Sequence, residues 1–314
     1  MALKPLKALP FILLTGLGII GNISVFVNYM CSLWGGAKKK SIQLILIHVV
    51  LTNIIILLSK GLPWTIAALG LGTFLGVIGC RIIIYLERVS RGLSICTSSL
   101  LTLVQASTIS PRDSVWRRLK PRSAWHILPV LLFFWIFNSF ISMNLLNSIG
   151  NTSLVKFQFG GSEFYCYTML GSQKINSIFL TFMAMRDAVS QSAMGGASVY
   201  MIFLLYKHHQ RVLYLQNSQF VYKTPPEMKA AQSVLLLMLS FLSFYLIDLV
   251  ISLYLTISFK HISILINVQE FLTLGYAIFS PFVLIHRDGH LAEWCQVQCR
   301  DFKHKISEFH SLFS

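Results

Sequence analysis

Phe74 to Ile109 reads FLGVIGCRIIIYLERVSRGLSICTSSLLTLVQASTI, thirty-six residues without a proline. An apolar run of this length predicts one long helix, because nothing in it removes a backbone donor or breaks the turn. Its four charges, Arg81, Glu87, Arg88 and Arg91, decide how that helix must sit. At about 100° per residue, with Glu87 at the origin, Arg91 falls at about 40°, Arg88 at about 100° and Arg81 at about 120°. All four share one face. An ionised group at mid-bilayer costs ~2.5–3.5 kcal/mol even on the mildest scales, so in a membrane this face points into a bundle or a watery cavity and marks a site. Ser94, Ser98, Thr102 and Gln105 continue the same face in polar form, making the helix a central one with a polar seam. Glu87 and Arg91 stand four apart with the acid first, the favourable order for a helical ion pair, so mutual neutralisation competes with ligand contact there.

The 314 residues are 55% hydrophobic and 12% charged, against about a quarter charged in a soluble domain. Apolar runs long enough to cross a bilayer lie near 8–33, 42–68, 74–109, 125–148, 175–206, 230–258 and 262–286. These predict an all-α membrane protein, a seven-transmembrane helix bundle, in one domain over 1–314 with a tail at 287–314. A β-barrel would need short alternating segments, and these runs are continuous.

The net charge of +15 suggests nucleic acid until its placement is read. Sixteen lysines and arginines fall after odd-numbered spans or in the tail, and six fall on the other side. The positive-inside rule then puts the amino terminus outside and the carboxyl terminus inside, and the charge needs no nucleic-acid partner. Lys4 and Lys7 ahead of an apolar run imitate a signal peptide, but the run to Leu33 is long enough to span. Asn151-Thr152-Ser153 is a glycosylation sequon in a loop this topology places outside.

Of six cysteines, only Cys80 and Cys166 lie on the oxidising side of this topology, and they are expected to pair, tying the loop over the bundle. Cys295 and Cys299 in the tail are candidates for palmitoylation, or plain cytosolic thiols. No cysteine–histidine spacing resembles a metal site, and no motif calls for a cofactor. There is no phosphate loop, His-Glu-x-x-His run or serine elbow, so an enzyme is not expected. Further charges inside spans are Arg186 and Asp187 in the fifth, Asp248 in the sixth and Glu270 in the seventh. With the third span they make four bases against four acids, so structural pairing competes with ligand binding for each. Glu87, Arg88 and Arg91 lie two to three turns from Cys80, the depth of a pocket.

Tyr85 to Pro111 (YLERVSRGLSICTSSLLTLVQASTISP) resembles the third-span signature of vomeronasal type 1 receptors, in its Arg-x-x-Arg-Gly, Ser-Ile-Cys-Thr and Gln-Ala-x-x-Ile-Ser-Pro elements. His48 to Pro63, Arg186-Asp187, Tyr206 to Val212, Pro226 to Leu237 and Ser280 to Asp288 resemble further family segments in order. The resemblance covers nearly the whole chain. It implies a multi-pass, plasma-membrane, rhodopsin-like G-protein-coupled receptor for pheromones or similar small chemosignals, acting through a heterotrimeric G protein of the inhibitory class. It also implies the Cys80–Cys166 disulfide and a glycosylated Asn151. As in that family, an Asp-Arg-Tyr run is absent from the end of the third span, where Gln105-Ala106-Ser107 stands.

The expected ligand contacts are Glu87, Arg88, Arg91, Arg186, Asp187, Asp248 and Glu270. The expected G-protein face holds Arg112, Arg117, Arg118, Lys120 and Arg211, basic residues that equally suit lipid headgroups. Departures from the family pattern, Glu87, the Gly-Gly-Ala-Lys-Lys-Lys loop and Gly275-Tyr276-Ala277, leave open a divergent member that assists other receptors. A transporter or channel using the charged seam is the alternative from another class. Neither an internal repeat nor a pair of broken spans favours it. Bitter-taste receptors, which also lack Asp-Arg-Tyr, fit the quoted motifs less well.

Overall fold

The computed structural model describes residues 3–34, 40–68, 77–111, 113–118, 120–121, 123–147, 154–159, 162–167, 173–216, 235–236, 239–247 and 274–285. Its helices are α1 (Leu3–Trp34), α2 (Lys40–Ala68), α3 (Val77–Ile109), a single turn α4 (Val115–Arg118), α5 (Ile127–Asn147) and α6 (Gln173–Gln216). Helical residues 239–247 belong to span six, and Leu274–Ile285 to span seven. Ile12–Leu33, Ser41–Gly61, Ile82–Ile109 and Thr181–His208 are each long and apolar enough to cross a membrane.

The outward faces are those of a chain surrounded by lipid. On α1, Leu13, Leu17, Ile20 and Val27 are exposed, and on α5 so are Leu128, Leu132, Ile136 and Phe140. Stripes this continuous and apolar would drive a soluble protein to aggregate. α3 is the opposite case, packed by α2, α5 and α6 and buried from Leu93 to Ser99. Its small Gly, Ser and Thr residues let these neighbours approach closely, as membrane helix contacts require.

Polar side chains pin the bundle where the core is driest. Asn22 of α1 donates to the Ala277 carbonyl of span seven (2.9 Å), and Asn53 of α2 donates to Ser280 Oγ (2.8 Å). The Trp135 indole N–H of α5 donates to His48 Nε2 (2.8 Å). An indole can only donate, so the ring proton of His48 sits on Nδ1, 3.0 Å from Thr97 Oγ1 of α3. In hydrocarbon each such group would otherwise go unsatisfied.

The bundle carries one addition that periodicity in the apolar runs did not announce. Residues 154–167 hold an antiparallel hairpin, β1 (Leu154–Phe159) and β2 (Ser162–Tyr167), with Val155 opposite Cys166. Gly160 and Gly161 stand between the strands, a dipeptide that two-residue hairpin turns favour. The hairpin rests against α2 and α3. Lying between α5 and α6 in the chain, it belongs to the Cys80 end of the bundle. The opposite end of α3 is here named for Gln105.

Candidate functional site

About two turns beyond Cys80 in α3, Glu87 Oε1 lies 3.1 Å from Lys60 Nζ of α2. Both side chains are largely withdrawn from solvent, 28% and 15% exposed. Glu87, which the sequence offered to Arg91 on its own helix, thus has a cation facing it from α2. A carboxylate half-buried between helices gains more from a cation facing it across the interface than from a neighbour on its own turn, a contact worth only ~0.2–0.5 kcal/mol. Lys60, one of the six basic residues that the topology count put on the outer side, lies inside α2 and adds a fifth base to the bundle. Arg91 sets its guanidinium over the Tyr245 ring of span six, Cζ 5.6 Å from the centroid, a cation–π contact. Arg88 is half-buried beside Glu87 and within its field. Ionised groups from α2 and α3 and an aromatic ring from span six thus lie along neighbouring turns of α3.

A second cluster joins α3, α5 and α6. Arg186 Nε and Nη2 each lie 2.8 Å from Asp187 Oδ1, and Nη1 donates to Asn138 Oδ1 of α5 (2.8 Å). Asn138 in turn donates to the Phe134 carbonyl (2.8 Å). The guanidinium crosses α3 at Gly92, where any Cβ would collide with Asn138 Oδ1 and Arg186 Nη1. A larger residue at 92 would displace the guanidinium and the Asn138 amide from this contact. The Cys96 thiol lies 3.8 Å from Ser190 Oγ beside this strut. All three guanidinium nitrogens of Arg186 already have protein partners, whereas Lys60 and Glu87 meet in a single contact between two ions.

The sequence profile of the vomeronasal organ pheromone receptor family matches residues 9–297. The chain belongs to that family. It is similar to vomeronasal type-1 receptor 4 of Homo sapiens, 30% identical over 291 residues that cover 90% of this chain and 94% of the relative. It is also similar to vomeronasal type-1 receptor 50 of Mus musculus, 31% identical over 287 residues, covering 90% and 91%. Among solved structures, squid rhodopsin matches with a TM-score of 0.66 at 13% identity, over 90% of this chain and 81% of that one. The fold is therefore the rhodopsin-like seven-helix bundle, and the family is one of membrane receptors rather than enzymes.

Within this vomeronasal receptor chain the expected site residues separate. Glu87, Arg88 and Arg91 gather with Lys60 and Tyr245, and Arg186 and Asp187 form the second cluster with Asn138. Asp248, Glu270, Asn151, Arg112, Cys295 and Cys299 lie outside the described residues. Cys80 opens α3 and Cys166 lies in β2, on elements that touch, although their side chains and that of Arg81 lie outside the described residues. Arg118 and Arg211 are described by backbone alone, in α4 and α6. Lys120 is exposed, and Arg117 Nη1 donates to the Ser110 carbonyl (3.2 Å), capping the end of α3. Among the described residues no group of three or more His, Cys, Asp or Glu could hold a metal. Sequence reasoning missed Lys60, Asn138 and Tyr245. Asn138 is one of three asparagines in α5, so nothing in its own segment set it apart, whereas Lys60 stood inside its own span.

Proposed function

We propose that this chain is a plasma-membrane chemosensory receptor, amino terminus outside, that couples a small chemosignal to a G protein of the inhibitory class. The ligand enters beneath the β1–β2 hairpin and contacts Lys60, Glu87, Arg88 and Arg91. Asp248 and Glu270, in the sixth and seventh apolar runs of the sequence, are further ligand contacts in this reading, and Arg186 with Asp187 shapes the site from the side of α6. What carries the reading is the convergence of the Lys60–Glu87 pair and the Arg91–Tyr245 contact. It brings ionisable groups of α2 and α3 and a ring of span six within reach of one small molecule. A ligand that prefers one arrangement of these helices shifts the population toward it, and the basic loops at the other end engage the G protein.

Arg91→Ala, with surface expression intact, is expected to weaken the response to an active compound by about tenfold or abolish it, as loss of one charged contact of ~1.4 kcal/mol would. The compound comes from a screen of volatile and steroid-like molecules on calcium-reporting cells. An unchanged dose–response curve removes Arg91 from the site. Solute flux without ligand-driven guanine-nucleotide exchange would replace the receptor reading with a transporter.

A further inference from the structure

The Gln105 end of the bundle holds a cluster that the ligand site does not use. Ala106 of α3, Ala197 and Met201 of α6, and Leu235 of span six form a buried apolar junction. Two of these four side chains are single methyl groups, which leaves room between the helices. Trp116, seven residues beyond the end of α3, folds back and packs against this junction. Its indole stacks on Tyr200 of α6, centroids 5.1 Å apart and planes 16° from parallel.

The loop that carries Trp116 is fastened by hydroxyls. Tyr200 Oη lies 3.2 Å from Ser110 Oγ and 3.3 Å from Ser114 Oγ, and the Trp116 amide donates to Ser114 Oγ (3.3 Å). Ser110 Oγ also donates to the Ala106 carbonyl (2.6 Å), so the run of hydroxyls ends on α3 itself. Linked hydroxyls strengthen one another, and these are partly buried. With Arg117 donating to the Ser110 carbonyl, the loop closes on α3 and α6 at once. None of these contacts involves a carboxylate. This is the end at which an Asp-Arg-Tyr run is lacking.

We propose that Trp116 and Tyr200 form an autoinhibitory clasp, in which the indole plugs the junction of α3, α6 and span six and the Tyr200 hydroxyl holds the loop in place. The proposal rests on the G-protein reading above, because a cavity for a G protein opens only when these helices part. Packed junctions have discrete arrangements rather than a continuum, so a side chain packed against a cluster drawn from three helices must leave before they separate. Tyr200 thus acts as a positioning residue, through Trp116, and touches no ligand.

The test uses the full chain in lipid nanodiscs and two readouts. Hydrogen exchange follows the amides of Ser114 and Arg117, bonded to the carbonyls of Pro111 (3.1 Å) and Ser114 (3.0 Å). Guanine-nucleotide exchange on added heterotrimer, without ligand, follows basal activity. Tyr200→Phe keeps the ring stack and removes the hydroxyl. It is expected to speed both by about fivefold, the ratio one buried hydrogen bond is worth. Trp116→Ala should exceed that, with Trp116→Phe as the milder variant should the alanine chain fail to fold. Unchanged amide exchange in Tyr200→Phe overturns the clasp. Faster amide exchange with unchanged basal nucleotide exchange, in a chain whose wild type answers ligand, overturns its inhibitory role. If no variant or ligand drives nucleotide exchange at all, the G-protein reading fails, and amide exchange alone upholds or rejects the fastening.

Discussion

In the Cys80 half of α3, Glu87 reaches Lys60 on another helix and Arg91 covers Tyr245 on a third. In the Gln105 half, Thr102, Ser107 and Thr108 turn their hydroxyls back onto carbonyls of α3 itself, at 2.7–2.8 Å. The same helix therefore follows two regimes. Groups that bond across helices can exchange partners when the helices move or a ligand arrives. Hydroxyls satisfied by their own backbone behave as small apolar surface and let neighbours pack close. Between the regimes, Thr97 meets His48, and Ser98 lies 3.5 Å from the Tyr276 hydroxyl of span seven. Chemistry is concentrated in one half and close packing in the other.

The contrast can be broken most forcefully at the strut beside the ligand site. Arg186→Met leaves the Asp187 carboxylate without its partner, and removing one member of a buried pair costs ~3–5 kcal/mol. Because Asp187 keeps 28% of its surface, the lower end of that range is expected, read as a fall in the thermal unfolding midpoint of the purified chain. A midpoint within experimental error of wild type would deny the strut its structural role.

A smaller effect is expected at the ion pair. Lys60→Met, Glu87→Gln and the double variant form a cycle whose coupling should be about 1 kcal/mol, the upper end for pairs with some solvent access. Additive single effects would show that the two charges do not support one another. The smallest change is expected in the Gln105 half, where Thr102→Val removes a hydroxyl that donates within α3 and should shift stability by less than ~0.5 kcal/mol. A loss comparable to that of the ion-pair variants would erase the distinction between the halves.

Much of the fold was legible because the bilayer leaves few solutions. Long apolar runs can only be spanning helices, and four charges on one face of α3 can only be turned inward. The partners of those charges were not legible. Spacing along α3 made Arg91 the natural mate of Glu87, whereas the helix interface supplied Lys60 at 3.1 Å. Helical periodicity ranks neighbours on one element and is blind to what another element brings opposite. Asn138, Tyr245, Trp116 and Tyr200 escaped for the same reason. Each is an ordinary residue in its own segment and gains a role from what faces it. The hairpin at 154–167 was hidden differently, in a short alternating stretch between long apolar runs that dominate any hydropathy reading.

By itself the sequence determined the solvent, the helical class, the central position of α3 and membership in a receptor family. These follow from composition, run length, the cost of burying charge and the order of short motifs, which act on each segment alone. The tertiary structure decided the pairing of Lys60 with Glu87, the crossing of Arg186 at Gly92 and the closing of Trp116 onto Tyr200. Such contacts depend on angles and distances between helices set by the packing of the whole bundle, and no local pattern encodes them.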